Sequence, residues 1–151
     1  MTENITYRLF TKADQEIVSQ LISAFYQESP EGKPMTPAKI SRTLDQLSKS
    51  PSTGTILLVE RPDQIIGYAL LINFWSNEYG GNILVIDELY ILPSFRSRGI
   101  GSQLIKHLAE SRFNDCIALD LEVLPYNQRA LQLYQQLGFQ LSDRAYLLWE
   151  P

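Results

Sequence analysis

Hydrophobic residues recur at helical spacing in four stretches of the chain. The first stretch runs from Lys12 to about Ser29, and the second begins near Thr36, a cap residue followed by a proline at the first helical position. The third runs from about Gly99 to Arg112. The fourth begins at Asn127, which can cap it, and ends at Gly138, which can adopt the left-handed conformation of a helix C-terminus. The pattern therefore predicts four amphipathic helices.

Strand-like runs occupy most of the chain between these helices. The first is ITYRLF, and after the second helix come TILLVE, IIGYALLINFW and NILVIDELYIL, which short turns join into an antiparallel meander. A fifth strand, IALDLEV, follows the third helix, and FQLSDRAYLLWE closes the chain as one or two strands. The order β, α, α, β, β, β, α, β, α, β predicts one α/β (α+β) domain over residues 1–151, with helices packed on a single sheet.

Charge and composition narrow the class of partner. The 151 residues include 13 Lys and Arg and 17 Asp and Glu, a net charge of -4, so the chain lacks the broad basic surface of nucleic-acid binders. The N-terminus lacks the pattern of a signal peptide, and no apolar run approaches the roughly 18 residues that span a membrane. Cys116 cannot form an internal disulfide, which fits a reducing compartment. We therefore expect a soluble, cytoplasmic protein without nucleic-acid or membrane partners.

Glycine and arginine are concentrated at the junction between NILVIDELYIL and the third helix, which reads RSRGIG at residues 96–101. Backbone amides at a helix start have no intrahelical partner and carry partial positive charge, and Gly99 and Gly101 let a bulky anion approach them. Arg96 and Arg98 add charge, and one arginine can bond two phosphate oxygens. The junction predicts a phosphate cradle, although it matches neither a P-loop nor a dinucleotide-binding loop.

RSRGIG resembles the signature of the GNAT superfamily of acetyl-coenzyme A-dependent N-acetyltransferases, with Arg96, Gly99 and Gly101 at the fixed positions. NQRALQLYQQLGF, residues 127–139, is similar to the second block of the family, and the resemblance is strong over residues 82 to 139. It implies the GNAT fold, a mixed and mostly antiparallel sheet of six to seven strands with about four helices, in which the strands holding DELYI and LDLEV splay apart. Many relatives form dimers, so a homodimer is possible.

The resemblance also implies acetyl-coenzyme A as the co-substrate, and no metal. Backbone groups near Leu89, Tyr90 and Ile91 would pair with its pantetheine arm, which Asn127 would touch. The pyrophosphate would lie against the cradle, whose residues are Arg96, Ser97, Arg98, Gly99, Ile100, Gly101 and Ser102. Ser97 departs from the family, because many members have glycine there, and this matters only if the residue needs a positive φ angle.

Three carboxylates are candidates for the base that deprotonates the attacking amine. Asp87 and Glu88 lie in an otherwise apolar strand, where a carboxylate is costly unless it is paired or used. Neighbouring strand residues face opposite sides, so both reach one cleft only if a bulge intervenes. Resemblance to the polyamine-acetylating branch favours Asp87, then Glu88, and Glu122 is third because some protein-acetylating members place their base there.

The resemblance places Tyr134 as the acid that protonates the departing thiolate. His107 lies on the polar side of its predicted helix and Cys116 at the start of a buried strand, so we expect His107 to be solvated and Cys116 to lie in the core. Direct transfer needs neither residue.

Acceptor choice in this fold comes from the first two helices and the loop before DELYI, where aromatic rings and carboxylates favour a cation. Tyr26, Glu28, Trp75 and Glu78 are the candidate substrate-binding residues, with Phe25, Glu31, Phe74 and Tyr79 beside them, and the loop SPEGKP at 29–34 is a candidate lid. We predict a small cationic amine such as a polyamine, an aminoglycoside or an amino-acid-like amine. The alternatives are a protein lysine or N-terminus, and a non-catalytic acetyl-coenzyme A-binding module, which would have no use for the proton-transfer residues.

Overall fold

A mixed five-stranded sheet forms the centre of the structure, a computed structural model that describes residues 3–28 and 32–151. Its strands, in both spatial and chain order, are β1 (Thr6–Leu9), β2 (Gly54–Arg61), β3 (Gln64–Ser76), β4 (Gly81–Ile91) and β5 (Ala118–Asp120). Short turns join β2, β3 and β4, which pair antiparallel as predicted, and β1 also pairs antiparallel with β2. β5 pairs parallel to β4 because a helix between them carries the chain back across the sheet.

Four helices pack on the sheet, namely α1 (Gln15–Glu28), which follows a 3₁₀ turn at Lys12–Asp14, α2 (Pro37–Lys49), α3 (Ile100–Glu110) and α4 (Gln128–Gln136). The predicted caps are confirmed. The Thr36 hydroxyl accepts from the Lys39 amide at 3.2 Å, the Asn127 side chain accepts from the Ala130 amide at 3.2 Å, and Gly138 has a φ of 103°. Among the described residues, no helix is long and apolar enough to cross a bilayer.

The sheet separates two hydrophobic cores because side chains alternate along its strands. On β2, Leu57 and Val59 face the core beneath α3, while Ile56 and Leu58 face the core beneath α1 and α2. Cys116 is buried in the first core, as expected. The two cores hold the helices on opposite faces, so the junction before α3 and the end of α1 approach the sheet from different sides.

A β-bulge in β4 changes which face its side chains occupy. Leu70 of β3 pairs with Glu88 and Leu71 pairs with Ile86, so Asp87 is the extra residue. Before the bulge Ile86 lies in the α3 core, and after it Glu88 and Tyr90 lie on the side of α1 and α2. The β-bulge that would allow the two adjacent carboxylates to reach one cleft is therefore present.

The expectation of six to seven strands is wrong for the described residues, because the sheet has five. Residues 139–150, predicted as one or two strands, form no helix or strand, and β5 is three residues long instead of the seven of IALDLEV. The physical reason is exposure: Leu147 is 90% exposed and Trp149 82%, so the segment has no buried face to pack on the sheet. Pairing between β4 and β5 ends at Val85 and Asp120, where the two strands part.

Candidate active site

The phosphate cradle lies where α3 begins. Gly99 is the N-cap residue with a φ of 77°, a left-handed conformation that favours glycine. The first intrahelical hydrogen bond runs from the Gln103 amide to the Gly99 carbonyl at 2.9 Å, so the amides of the first turn precede it and remain available to an anion. Ser97 has a φ of 61°, so the positive φ that favours the glycine of many family members is present here. Such a conformation costs a serine about 1 kcal/mol.

Gly101 is the position that best indicates room for a ligand. A Cβ built on it would meet only the Leu89 side chain at 3.8 Å, an ordinary contact, and its φ is not left-handed. Neither the packing nor the backbone of the protein therefore requires glycine here. The space beside Gly101, in the first turn of α3, is open, so the residues present leave room for a bulky diphosphate.

The two arginines of the junction do not point freely into the cradle. The Arg96 guanidinium forms two hydrogen bonds to the Glu28 carboxylate at 2.8 and 2.7 Å, and its Nε donates to the Ile91 carbonyl at 2.8 Å. Arg98 pairs with Glu3 and donates to the Ser94 carbonyl at 3.0 Å. Such exposed pairs are worth roughly 0–1 kcal/mol, so a phosphate can compete for either arginine.

The edge of β4 beyond Val85 lies open on the side of β5. Leu89, Tyr90 and Ile91 pair with β3 on the other side, and the ladder to β5 ends before them. Their pairing with a pantetheine arm stays a prediction, and the Ile91 carbonyl already accepts a hydrogen bond from Arg96. The Asn127 side chain caps α4, and its contact with the cofactor stays a prediction.

Glu88 lies at the centre of a buried polar cluster beneath α1. It is 9% exposed, and its two carboxylate oxygens accept hydrogen bonds from the hydroxyls of Tyr68, at 2.8 Å, and Tyr26. Burial raises its pKa, both tyrosine bonds lower it, and the charge of Asp87 raises it, with a net rise. Burial and the nearby Glu88 likewise raise the pKa of Tyr26 and of Tyr68, so both hydroxyls stay protonated donors.

Sequence reasoning missed Tyr68, which is fully buried in β3. The only signal for it was a hydroxyl within the apolar run IIGYALLINFW, and its distance from Glu88 along the chain hid the pairing. The Tyr68 ring lies 6.5 Å from that of Phe25 and 6.2 Å from that of Tyr90, so aromatic packing fixes the hydroxyl that holds Glu88.

Asp87 differs from its neighbour because its carboxylate is exposed. The protein packed behind it nevertheless desolvates the carboxyl and raises its pKa. Its charge also raises the pKa of both Glu88 and Tyr26, so the two neighbouring carboxylates interact electrostatically. Glu122, the third candidate, is exposed beyond the end of β5.

Tyr134 packs against the α3 core from α4, half-buried, with its ring 5.9 Å from that of Phe139. Burial raises the pKa of its hydroxyl, which keeps the proton on the oxygen. It lines a cleft of about 1070 Å³ together with residues of β5, which include Leu119. Tyr134 therefore lies beside β5, and its role as the proton donor stays a prediction.

A sequence profile described as "Acetyltransferase (GNAT) family" matches residues 16–139, which is most of the chain. This chain belongs to the GNAT family. The crystal structure of a possible acetyltransferase from Clostridium difficile 630 has the same fold, with a TM-score of 0.86 at 20% identity over 97% of each chain. The structure of AAC(6')-Iy in complex with the bisubstrate analog CoA-S-monomethyl-acetylneamine also shares the fold, with a TM-score of 0.79 at 18% identity over 99% of each chain.

A curated relative of this GNAT chain is a thialysine N-epsilon-acetyltransferase from Bos taurus, which is 40% identical over 77 residues. The match covers 50% of this chain and 45% of that protein, so the similarity concerns about half of each.

The predicted acceptor residues of this GNAT chain fall into two separate groups. Tyr26 donates a hydrogen bond to Glu88. Leu70 of β3 pairs with Glu88, and Trp75 lies five residues further along β3, which is roughly 17 Å from the level of Glu88. Trp75 is 70% exposed, and Glu78 in the next turn pairs with Arg144 at 2.7 Å.

Glu28 forms an ion pair with Arg96. The structure therefore does not bring the four predicted acceptor residues together in one site. Phe25 packs at Tyr26 with ring centres 5.2 Å apart, while Phe74 and Tyr79, 56% and 63% exposed, lie with the Trp75 group. Glu31 and the first residues of the predicted lid, 29–31, lie outside the described residues.

Proposed function

We propose that this chain transfers the acetyl group of acetyl-coenzyme A to the primary amine of a small cationic acceptor, by direct attack within a ternary complex. The observation that carries the proposal is the bulge in β4 at Asp87, next to the buried Glu88–tyrosine cluster, in the strand that leads to the amide cradle of α3. The names of a thialysine N-epsilon-acetyltransferase and of an enzyme bound to an acetylneamine conjugate support an amine acceptor of this size.

The cradle and the open edge of β4 would hold the donor. First-turn amides of α3 bind the pyrophosphate, with Gly101 leaving the space and Arg96 and Arg98 exchanging their carboxylate partners for phosphate oxygens. Acetyl-coenzyme A supplies an activated thioester carbonyl, which an amine nitrogen can attack. No covalent nucleophile is needed: Cys116 is buried with a raised pKa, and the ring of His107 stacks on Tyr7 with centres 4.6 Å apart.

The proton of the acceptor has to be removed first, because an ammonium with a pKa of about 10.4 is deprotonated only about once in a thousand at neutral pH. We assign this role to Asp87 because its carboxylate is exposed, whereas Glu88 is buried and accepts a hydrogen bond from a tyrosine on each oxygen, which lowers its pKa and makes it a weaker base. Glu88 is then a positioning residue, whose charge also favours a cation. The nitrogen releases its second proton to solvent as the nitrogen–carbon bond forms. As the carbon–sulfur bond breaks, Tyr134 would donate its proton to the sulfur and recover one from solvent.

Donor binding is tested with Gly101→Val, which fills the space before the amides without straining the backbone. The matched control is Ala109→Val at an exposed position of the same helix. We expect both variants to keep the melting temperature, and only Gly101→Val to weaken acetyl-coenzyme A binding in calorimetry, by about 100-fold, since each lost charge-assisted bond costs about 1.5–3 kcal/mol. Unchanged affinity in folded Gly101→Val would remove the cradle from the proposal.

The acceptor class is tested by turnover across polyamines, aminoglycosides, thialysine, amino acids and peptides. We expect turnover of small cationic amines, weakening as salt screens the carboxylates at Asp87 and Glu88. Turnover of peptides alone would point to a protein acetyltransferase. Tight binding of acetyl-coenzyme A without turnover of any amine would point to a binding module.

A further inference from the structure

Glu28, the last residue of α1, carries a charge that its own helix does not balance. A carboxylate at a helix C-terminus lies at the negative end of the helix dipole, and the last turn, FYQE, contains no lysine or arginine. The balancing charge comes from the junction before α3, where Arg96 donates hydrogen bonds to both Glu28 oxygens at 2.8 and 2.7 Å. Arg96 thereby holds the pKa of Glu28 below its usual value. Glu28 therefore needs a cation, and Arg96 supplies it.

Arg96 connects the two sides of the sheet at the end of β4. Its backbone belongs to the predicted phosphate cradle before α3, whereas its guanidinium lies 5.2 Å from the centre of the Tyr90 ring, which packs in the core beneath α1 and α2. The side chains of Arg96 and Glu28 are 42% and 39% exposed, so a ligand can reach either of them. Such an exposed pair is weak, and an arginine binds phosphate as readily as carboxylate. A phosphate that takes Arg96 would leave the Glu28 carboxylate without its cation.

The Glu28 carboxylate also lies close to the carboxylates of the proposed active site. Tyr26, two residues earlier in the same turn of α1, donates a hydrogen bond to Glu88, and Glu28 itself interacts with the Tyr90 hydroxyl. Glu88 and Tyr90 are two residues apart on one face of β4, a separation of roughly 7 Å along the strand. An acceptor with its reacting amine at Asp87 would therefore reach Glu28 with a second ammonium a few carbon atoms away.

We propose that Glu28 and Arg96 form a switch that couples the two substrates: a donor phosphate takes Arg96 from Glu28, and the freed carboxylate binds a second ammonium of the acceptor. The inference rests on the proposed function and narrows the acceptor to an amine with two cationic centres. Either substrate alone has to break the ion pair, whereas the second to bind finds it already broken. The two substrates therefore strengthen each other's binding by the same factor, which is the strength of the pair. For an exposed pair this factor is about two- to fivefold.

Coenzyme A binding to the full chain, measured by calorimetry, tests the donor half of the switch. We expect Glu28→Gln, which removes the competing charge and keeps the shape of the side chain, to tighten coenzyme A binding about two- to fivefold. The matched control is Glu16→Gln, an exposed glutamate in the first turn of the same helix, which should leave the affinity unchanged. In an Arg96→Gln background, Glu28→Gln should have no effect either.

The sign of the Glu28→Gln effect separates the switch from a purely structural ion pair. If Glu28 held Arg96 in position for the phosphate, the variant would bind coenzyme A more weakly than the unaltered chain. If Arg96 kept its carboxylate partner when the donor binds, the affinity would not change. Either result would overturn the proposal.

The acceptor half is measured on the unaltered chain with the diamine putrescine, without and with saturating coenzyme A, which has no acetyl group to transfer. We expect coenzyme A to tighten putrescine binding by about the same two- to fivefold factor. The increase should disappear with butylamine, which lacks the second ammonium, and with putrescine in Glu28→Gln. Putrescine that binds equally well with and without coenzyme A, or in neither state, would refute the coupling.

These measurements also separate the switch from the proposed function. A chain that does not bind coenzyme A would contradict both. A chain that binds coenzyme A and acetylates a small amine, but shows neither the Glu28→Gln effect nor the coupling, would keep the proposed function and refute the switch alone.

Discussion

Asp87→Asn isolates the proposed base from the buried cluster beside it. The side chain is exposed, and asparagine has the same shape, so the free energy of unfolding should change by no more than about 0.5 kcal/mol. Without the base only the free amine reacts, which is about one molecule in a thousand at neutral pH for an acceptor with a pKa near 10.4. We therefore expect kcat to fall about 1000-fold at neutral pH, within the range of roughly 100 to 10,000 that general bases contribute.

The pH profile gives the sharper readout. Burial raises the pKa of Asp87, so the rate of the unaltered enzyme should rise with pH through that raised value and then level off. The Asp87→Asn rate should keep rising about tenfold per pH unit towards the pKa of the amine, so that the difference between the two enzymes closes at high pH. Steady-state rates over the stable pH range, with melting temperatures at each pH, measure both quantities.

Glu88→Gln is the matched control, because it removes the neighbouring charge while keeping the shape that the two tyrosines hold. We expect it to keep the acid limb of the profile and mainly to raise KM for a cationic acceptor, since Glu88 positions rather than accepts the proton. An Asp87→Asn enzyme with the unaltered profile would refute the assignment. The base would then be Glu88 if its variant loses the limb, and Glu122 or bulk water if neither variant does.

Two further changes test the acid and the stability of the fold. Tyr134→Phe keeps the ring that packs on Phe139, so we expect an unchanged melting temperature and a kcat lowered by about 100-fold to 10,000-fold. A lower melting temperature with a normal kcat would rule out the acid role. Asp14→Asn removes the charge and at least one of the two 2.8 Å bonds from Arg8, since an amide keeps only one acceptor oxygen. Because Arg8 is half-exposed, this should cost about 1–2 kcal/mol of unfolding free energy at pH 7. Arg8 holds the pKa of Asp14 well below its usual range, so this stability should be present above a pH of about 4 and be lost as the pH falls further. Denaturant titrations in which the unaltered protein and Asp14→Asn differ by the same free energy at every pH would contradict this prediction.

Features set by neighbours in the chain were predictable from the sequence. The caps at Thr36 and Asn127, the left-handed Gly138 and the amide cradle with Gly99 each depend on a few consecutive residues, because helix starts and ends are formed by local hydrogen bonds. The antiparallel meander was likewise predictable, since short turns leave adjacent strands no other pairing.

Features that join distant parts of the chain were decided only by the tertiary structure. Glu88 meets Tyr26 from 62 residues away and Tyr68 from 20, and Arg96 meets Glu28 from 68 away, so no local pattern indicates that these side chains are partners. The sequence indicated only that a bulge would be needed for both carboxylates to reach one cleft. The register between β3 and β4 shows that Asp87 is the bulged residue. Strand propensity at 139–150 predicted strands that the described chain does not form. A strand needs a partner edge as well as suitable residues, and the sequence shows the residues but not the edge.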